Sequence, residues 1–571
     1  MVALVLAACA FVDADMRQTR IDADGDGVRS ASVGGNDCDD ANPDVGPPAT
    51  VYPDADADGY GTGEGGTGCT GVADPGDCDD TDPDVHPGGV ETCGGDVDAD
   101  CDGNIGLCTL EDFGPSIVGA AEGLRAGAAI GGIDPKSGPL NAVLFGAPGA
   151  GQSSGAATLF LGEDAADAAS GFISAAAGYA FEGSAGGTGF GTSLALFDID
   201  GDSEADLIVG APTYDSHDGS GGALGIAAGP FDRSGNDMRY ITSEAADDEL
   251  GASVTFADLG DPQRAIVGGA PGADTSCGFA YVVRNNGFES LDVFSAFQTG
   301  GSKLFGDCLE SPDNRLGTAV VAADLDGDGR DEVIVGAPGD ASKETDGVAG
   351  GAIWIIPTDA LESELALVER LEEGSVVRWA SADAAAAAGT AIAVGEFAND
   401  GLPDIAVGAP GASAFAARGG LIYFLFNPLT DDVDGDASLS EAGARIEGDV
   451  DRAEAGSALT TIPADTSAAR DRLAIGAPGE DDAVHGENSG AAYIFTVTED
   501  FNSPALSAAD VRLSCAVEDC AAGTALGAGD FDADGLFDLF IGAPGGYDPE
   551  GKKPDVAPGT VTIALGAVWS R

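Results

Sequence analysis

The tripeptide Gly-Ala-Pro occurs seven times in this chain of 571 residues, beginning at Gly146, Gly210, Gly269, Gly336, Gly408, Gly476 and Gly542. The spacings are 64, 59, 67, 72, 68 and 66 residues, a period that implies one supersecondary unit copied along the chain. Another glycine stands 18 to 20 residues before each tripeptide, at 127, 191, 251, 317, 389, 456 and 523. Each tripeptide is followed by a glycine that opens a β-rich run, among them GAATLFLG, GGAIWIIPT and GTVTIALG. One unit reads as a first strand (TSLALFD), a second (DLIVGAP), a third and a more polar fourth such as RYITSEA. Four short strands per unit are the pattern of a propeller blade, so the fold class expected is all-β, a seven-bladed β-propeller over residues 109–571. The last unit ends after its third strand, and a segment like a fourth strand, PSIVGAAEG from Pro115, precedes the first unit. Pairing the two would close the ring and remove two sheet edges. An open β-solenoid is the rival, and it leaves the displaced strand unexplained.

Between the first and second strands several units carry an acidic loop. In AVVAADLDGDGRDEVIVGAP the carboxylates Asp324, Asp326, Asp328 and Glu332 stand at positions 1, 3, 5 and 9, the Arg330 carbonyl fits position 7, and Gly327 and Gly329 permit the turn. Calcium takes six to eight oxygens at about 2.3–2.6 Å, and a tight loop with acids at alternate positions turns them inward. An EF-hand is excluded, because its position 12 would fall on Val335, inside a strand. The same spacing recurs at Asp198, Asp200, Asp202 and Asp206, and at Asp530, Asp532, Asp534 and Asp538. The fifth unit keeps Glu396, Asp400 and Asp404 but has Ala398 where a ligand belongs, so a weak or empty site is expected there. All these ligands come from the protein and no base stands beside them, so a structural Ca2+ is expected rather than a catalytic ion. Such a solvated acidic turn is ordinary when single; three copies in register are not.

The pattern Gly-x6-Asp-x-Asp-Gly-Asp-Gly-x2-acidic-hydrophobic3-Gly-Ala-Pro resembles the FG-GAP repeat of the integrin α-subunit propeller and its bacterial relatives. That resemblance implies a propeller with calcium in its blade loops and a role in adhesion or ligand recognition.

Residues 22–108 are rich in Asp, Gly, Pro and Cys, and two diverged copies are visible: DADGDGVRS leading to NDCDDANPDVGP, then DADADGYGTG leading to GDCDDTDPDVHP. So polar a segment cannot bury enough surface to fold unaided, so disulfides and metal must organise it. Candidate ligands are Asp22, Asp24 and Asp26; Asp54, Asp56 and Asp58; and Asp79, Asp80 and Asp82. The segment resembles the Asp/Cys-rich metal-binding motif of bacterial surface proteins and, more loosely, the calcium-wrapped repeats of thrombospondin. Calcium is favoured over copper, which prefers imidazole and thiolate, since the segment holds one histidine, His86. An acidic spacer without metal is the alternative.

The opening MVALVLAAC is too short to span a bilayer and ends in Leu6-Ala7-Ala8-Cys9, which resembles a bacterial lipobox. The resemblance implies a signal over residues 1–9, lipidation of Cys9, a tether over 10–21, export, and a place on the bacterial outer membrane or cell surface, held by the lipid alone. The ten other cysteines divide six and four between the two halves, as two disulfide sets in an oxidising compartment would require. Proximity suggests Cys277 with Cys308 and Cys515 with Cys520. Zinc is disfavoured, since no Cys-x2-Cys pair occurs.

The chain carries 98 acidic against 24 basic residues, a net charge of -74, which would repel phosphate backbones and excludes nucleic acid as a partner. The acidity fits cation sites or a saline habitat. Only three histidines are present, His86, His217 and His485, none in a nucleophile motif, so no enzyme activity is expected. The leading expectation is a surface-anchored adhesion or ligand-binding module, with a surface protein or polysaccharide as partner. A structural envelope protein without a selective ligand is the alternative, and a hydrolase-associated propeller a more distant one.

Overall fold

The computed structural model describes Asp22, most of residues 28–86, Cys101, residues 108–109, the strands and turns between 116 and 183, and residues 188–565 outside the loops at 216–219, 232–237, 261–263, 285–290, 293–300, 307–312, 342–348, 362–363, 430–434, 465–469, 482–486, 498–503, 516 and 546–558. Cys9 and the tether, Asp24, Asp26, Asp80, Cys93, Cys308, His217 and His485 lie outside the described residues. The chain divides into two compact units, Met1–Leu107 and Cys108–Arg571.

The second unit is the seven-bladed propeller. In the second blade Leu194–Phe197, Asp206–Ala211, Ala223–Ala227 and Arg239–Thr242 pair antiparallel in sequence order. The equivalent first strands are Ala129–Ile130, Ser253–Asp258, Val320–Ala323, Ala391–Gly395, Ala458–Ile462 and Ala525–Gly529. Second strands such as Glu332–Ala337 and Asp538–Ala543 are buried at every residue, because they lie in mid-sheet with a neighbouring blade packed on each face. No single core exists. Apolar side chains fill the space between consecutive blades, for example Val267 and Val282 against Val335 and Trp354, and Phe145 and Phe160 of the first blade against Phe540 and Ile563 of the seventh.

The two recurrent glycines interlock the blades. The leading glycine of each blade adopts a left-handed φ, between +81° and +94°, and its N–H donates to the carbonyl of the Gly-Ala-Pro glycine of its own blade at 2.9–3.1 Å. Its carbonyl oxygen lies 1.9–2.1 Å from where a Cβ would stand on the Gly-Ala-Pro glycine of the preceding blade, in the pairs 146/191, 210/251, 269/317, 336/389, 408/456, 476/523 and 542/127. The last pair joins the seventh blade to the first, so one contact runs unbroken around the ring.

Closure by a displaced strand occurs as expected: Ser116–Val118 pairs antiparallel with Thr560–Ala564, the third strand of the seventh blade. A fifth, outer strand was not foreseen. Leu291–Asp292, Glu364–Ala366 and Asp436–Ser438 each leave the loop between the third and fourth strands of one blade and pair in parallel with the fourth strand of the blade before it. Phe172–Ser174 does the same on Ser116–Val118, Ala505 bridges to Glu447, and Cys108–Thr109 pairs with Val511–Ser514. The segment from Cys108 to Val118 thus attaches to two adjacent blades, the sixth by its beginning and the seventh by its end.

In the first unit Ala49–Val51 pairs antiparallel with Gly66–Gly68, and Tyr60–Gly61 pairs in parallel with Asp74–Pro75. Disulfides join Cys38 to Cys69 and Cys78 to Cys101, where sequence left the connectivity open. In the propeller Cys515 and Cys520 are joined, as proximity suggested. Cys277 is also disulfide-bonded.

If the glycine contact couples the blades, Gly336→Ala should destabilise the propeller by about 2 kcal/mol or more, since the added methyl would meet backbone rather than a flexible side chain. Gly132→Ala provides the comparison, because a Cβ there meets nothing within 4 Å and its backbone is not left-handed. The check is the denaturation midpoint of each variant; equal midpoints would refute the coupling.

Candidate metal centres

Each of the three repeated acidic loops begins at the end of a first strand and runs into a second. The acid at position 9 opens the second strand and is buried, with Asp206 and Glu332 at 2% exposure and Asp538 at 0%. One of its oxygens accepts the amide of the apolar residue at position 2: Ile199 to Asp206 at 2.9 Å, Leu325 to Glu332 at 2.9 Å, Phe531 to Asp538 at 2.7 Å. Those apolar residues are themselves 2% exposed, so packing of position 2 fixes the acid above it.

The acid at position 1 accepts amides from further around the turn: Gly201 and Ser203 to Asp198 at 2.6 and 3.0 Å, Gly327 and Gly329 to Asp324 at 2.8 and 2.9 Å, and Gly535 to Asp530 at 3.1 Å. Position 3 accepts the amide of position 5, at 3.1 Å for Asp200, 3.0 Å for Asp326 and 3.2 Å for Asp532. The loop is thus a chain of carboxylate-capped turns. These bonds leave one oxygen from each of positions 1, 3 and 9 within 4.8 Å of one another, in the groups Asp198, Asp200 and Asp206; Asp324, Asp326 and Glu332; and Asp530, Asp532 and Asp538. Asp202, Asp328 and Asp534, at position 5, stand outside these groups, each accepting the amide at position 7 at 2.8 Å. Glu396, Asp400 and Asp404 do not converge either: Glu396 turns both oxygens to the amides of Asp400 and Gly401, at 2.7 and 2.9 Å, and Asp404 caps Phe397 and Ala398.

Crowding of carboxylates shows in their proton affinities. Burial, then the charges of Asp326, Asp328 and Asp324, push Glu332 up to about 7. Asp206 is raised by burial and by Asp200 and Asp202, and Asp532 by burial and its neighbours. Burial pushes Asp404 up to about 6. Asp198 differs. Burial would raise it, but Arg264, which opens the second strand of the third blade, lies 2.9 Å from its Oδ2 and, with the amides of Gly201 and Ser203, holds it below the usual range. A cation at the second blade therefore competes with a resident guanidinium. In the fourth blade Arg330 is turned away, onto Asp328 and Asp359. The role of Arg264 was not read from sequence; its only signal is that the third blade, whose loop DLGDPQRA lacks the ligand spacing, carries a base beside its neighbour's acids.

In the first unit Asp54, Asp56 and Asp58 converge in the same way. Burial, then Asp58, Asp77 and Asp54, raise Asp56. Asp77, whose charge acts on Asp56 from outside the convergent group, was not read from sequence. It is 5% exposed, and the signal was the repeated Asp-Cys-Asp-Asp, which places Asp37 and Asp77 at equivalent, equally buried positions. Asp79 instead accepts the Thr81 hydroxyl at 2.7 Å, and Asp22, Asp79 and Asp82 belong to none of the convergent groups.

An all-oxygen, multiply charged set suits a hard divalent cation. Buried Oδ atoms of Asp530, Asp56, Asp58 and Asp77 have no hydrogen-bond partner, which an ion would supply.

The FG-GAP repeat family matches residues 190–226, 316–356, 388–425 and 522–563. These segments contain the three convergent loops of the propeller and the fifth, non-convergent one, so four of its seven blades match FG-GAP repeats. The chain is similar to integrin alpha-PS3 of Drosophila melanogaster, 30% identical over 174 residues, a stretch that is 30% of this chain and 13% of that protein. Among the described residues no helix is long and apolar enough to cross a membrane.

A metal-free propeller should gain stability as pH falls from about 8 to 5. Glu332 and Asp404 bind protons more readily folded, near 7 and 6, than unfolded, near 4.3 and 3.9, so between those values the native state holds more protons and a rising pH destabilises it. Saturating divalent cation should raise the melting temperature and flatten this dependence. Melting curves with chelator and with cation, from pH 5 to 8, test both; a melt indifferent to cation would remove the metal centres.

Proposed function

We propose that this chain is an exported, surface-anchored ligand-binding or adhesion module whose propeller is stabilised by Ca2+ and which performs no catalysis. The observation that carries the reading is the recurrence of three convergent carboxylate groups at one blade position, inside repeats similar to those of an integrin α-subunit. In the metal-free chain the acids of each group repel one another; calcium would turn that repulsion into a clamp between the first two strands of a blade, leaving the other loops to meet a ligand. Asp198, Asp200 and Asp206, Asp324, Asp326 and Glu332, and Asp530, Asp532 and Asp538 would hold the ions, and Asp54, Asp56 and Asp58 a further one in the first unit. A surface protein or polysaccharide is the ligand class. Cys9 would carry the lipid that keeps the protein at the bacterial surface, with residues 10–21 as tether.

The labelled chain should bind intact bacterial cells saturably in calcium and lose that binding in chelator. No binding in either condition would leave the alternative, an acidic structural envelope component consistent with the net charge of -74. For the anchor, Cys9→Ala should move the protein from the membrane to the soluble fraction; its persistence on membranes would refute lipidation.

A further inference from the structure

A second recurrent constellation lies on the face opposite the acidic loops, where second strands turn into third ones. In blades three to six an aromatic residue of the third strand sits across from a base on the fourth, in the register pairs Tyr281 with Lys303, Trp354 with Arg378, Tyr423 with Arg445 and Tyr493 with Arg512. In blades four and six the residue four places after the Gly-Ala-Pro glycine is an acid, and it completes a buried triad. Trp354 Nε1 donates to Asp340 at 3.1 Å, and Arg378 donates to the same carboxylate at 3.1 and 2.6 Å. Tyr493 donates its hydroxyl to Glu480 at 2.6 Å, and Arg512 donates to that carboxylate at 3.1 and 2.8 Å. The two arginine side chains keep 6% and 20% exposure.

Blade five retains the aromatic and the arginine but has Ala412 in place of the acid. Arg445 turns instead to Glu447, two residues along its own strand, at 2.7 Å, and stays 49% exposed. The Tyr423 hydroxyl donates to Asp383 at 3.1 Å. Beside this rearranged set lies a cavity of about 630 Å³, lined among others by Asp383, Ser413, Phe415, Arg445 and Glu447. Phe415 is 70% exposed, the one exposed aromatic among the described residues. Exposing a phenyl ring at a cavity mouth has a hydrophobic cost that a ligand stacked on it would remove.

We propose that this cavity binds a neutral saccharide unit, a reading that rests on the ligand-binding function above. The volume lies in the range of small-molecule sites. The Phe415 ring offers its electron-rich face to the C–H face of a pyranose. Asp383 and Glu447 can only accept hydrogen bonds and Arg445 can only donate them, so a run of hydroxyls, each donor and acceptor, satisfies all three. Two carboxylates against one guanidinium leave the cavity negative, within a chain already at -74, and this disfavours anionic polysaccharides.

The test is titration calorimetry of the full chain against neutral oligosaccharides of glucose, galactose and mannose, a uronic acid oligomer and oligolysine. Binding of a neutral series is expected, with affinity falling about tenfold or more in Phe415→Ala at an unchanged melting temperature. Ala412→Glu, which restores the acid of the sister blades, should draw Arg445 inward and weaken binding similarly. Neutral binding that both variants leave intact, binding of oligolysine or uronic acid alone, or no binding of any probe would each overturn the proposal. Calcium-dependent attachment to cells that survives Phe415→Ala would overturn this pocket while keeping the adhesion function; wild-type protein that does not attach to cells would overturn that function instead.

Discussion

The propeller depends on a contact between glycines. Where a Cβ would stand on one glycine the carbonyl oxygen of the next blade already lies, closer than any side-chain carbon tolerates, and the left-handed φ of the partner aims that carbonyl. Both glycines are required for different reasons, one for proximity and one for conformation. The wedge between blades is therefore set by backbone, and the side chains between blades fill a gap whose width is already fixed. This explains why apolar filling varies from Val and Trp between blades three and four to Phe between seven and one while the glycines do not vary.

A ring built this way has to be closed by chain connectivity as well as by contact. Among the described residues, outer segments that blades contribute to the blade before them overlap every seam except that between blades one and two. The closing seam uses the same device: because Cys108–Thr109 pairs with the sixth blade and Ser116–Val118 with the seventh, the segment ahead of the first repeat takes the place that a continuous chain would have filled. Separating the two ends would require breaking pairing on two sheets, which is more resistant than one displaced strand alone.

The blade count, the order of strands and the displaced fourth strand were legible because each is written in glycines and in runs of alternating or continuous apolar residues. The outer strands were not: segments such as Leu291–Asp292 or Asp436–Ser438 are too short for a period and are held by pairing with a neighbour's backbone. The acidic loops were legible in their spacing, and the structure brings positions 1, 3 and 9 together. Position 5 could not be placed from spacing, because its carboxylate closes a local turn that competes with pointing inward. Arg264 and Asp77 were missed for a shared reason. Each acts on residues distant in sequence, and only the fold makes them neighbours.

The two faces of the disc use carboxylates in opposite ways. On one face acids gather with few bases, Arg264 and Arg330 among them, so much of their mutual repulsion persists until a cation or a proton arrives, and burial together with that repulsion holds Glu332 near 7. On the other face Asp340 and Glu480 are each matched by an arginine and an aromatic donor, so the charge is settled within the blade and needs nothing from solution. Removing a partner from such a buried triad ordinarily leaves a costly orphan. Blade five avoids that cost by exchanging partners, Glu447 for the missing loop acid and Asp383 for the tyrosine. The exchange satisfies the same groups in a more open arrangement, which is how a site can arise at a position that sister blades use for stability alone.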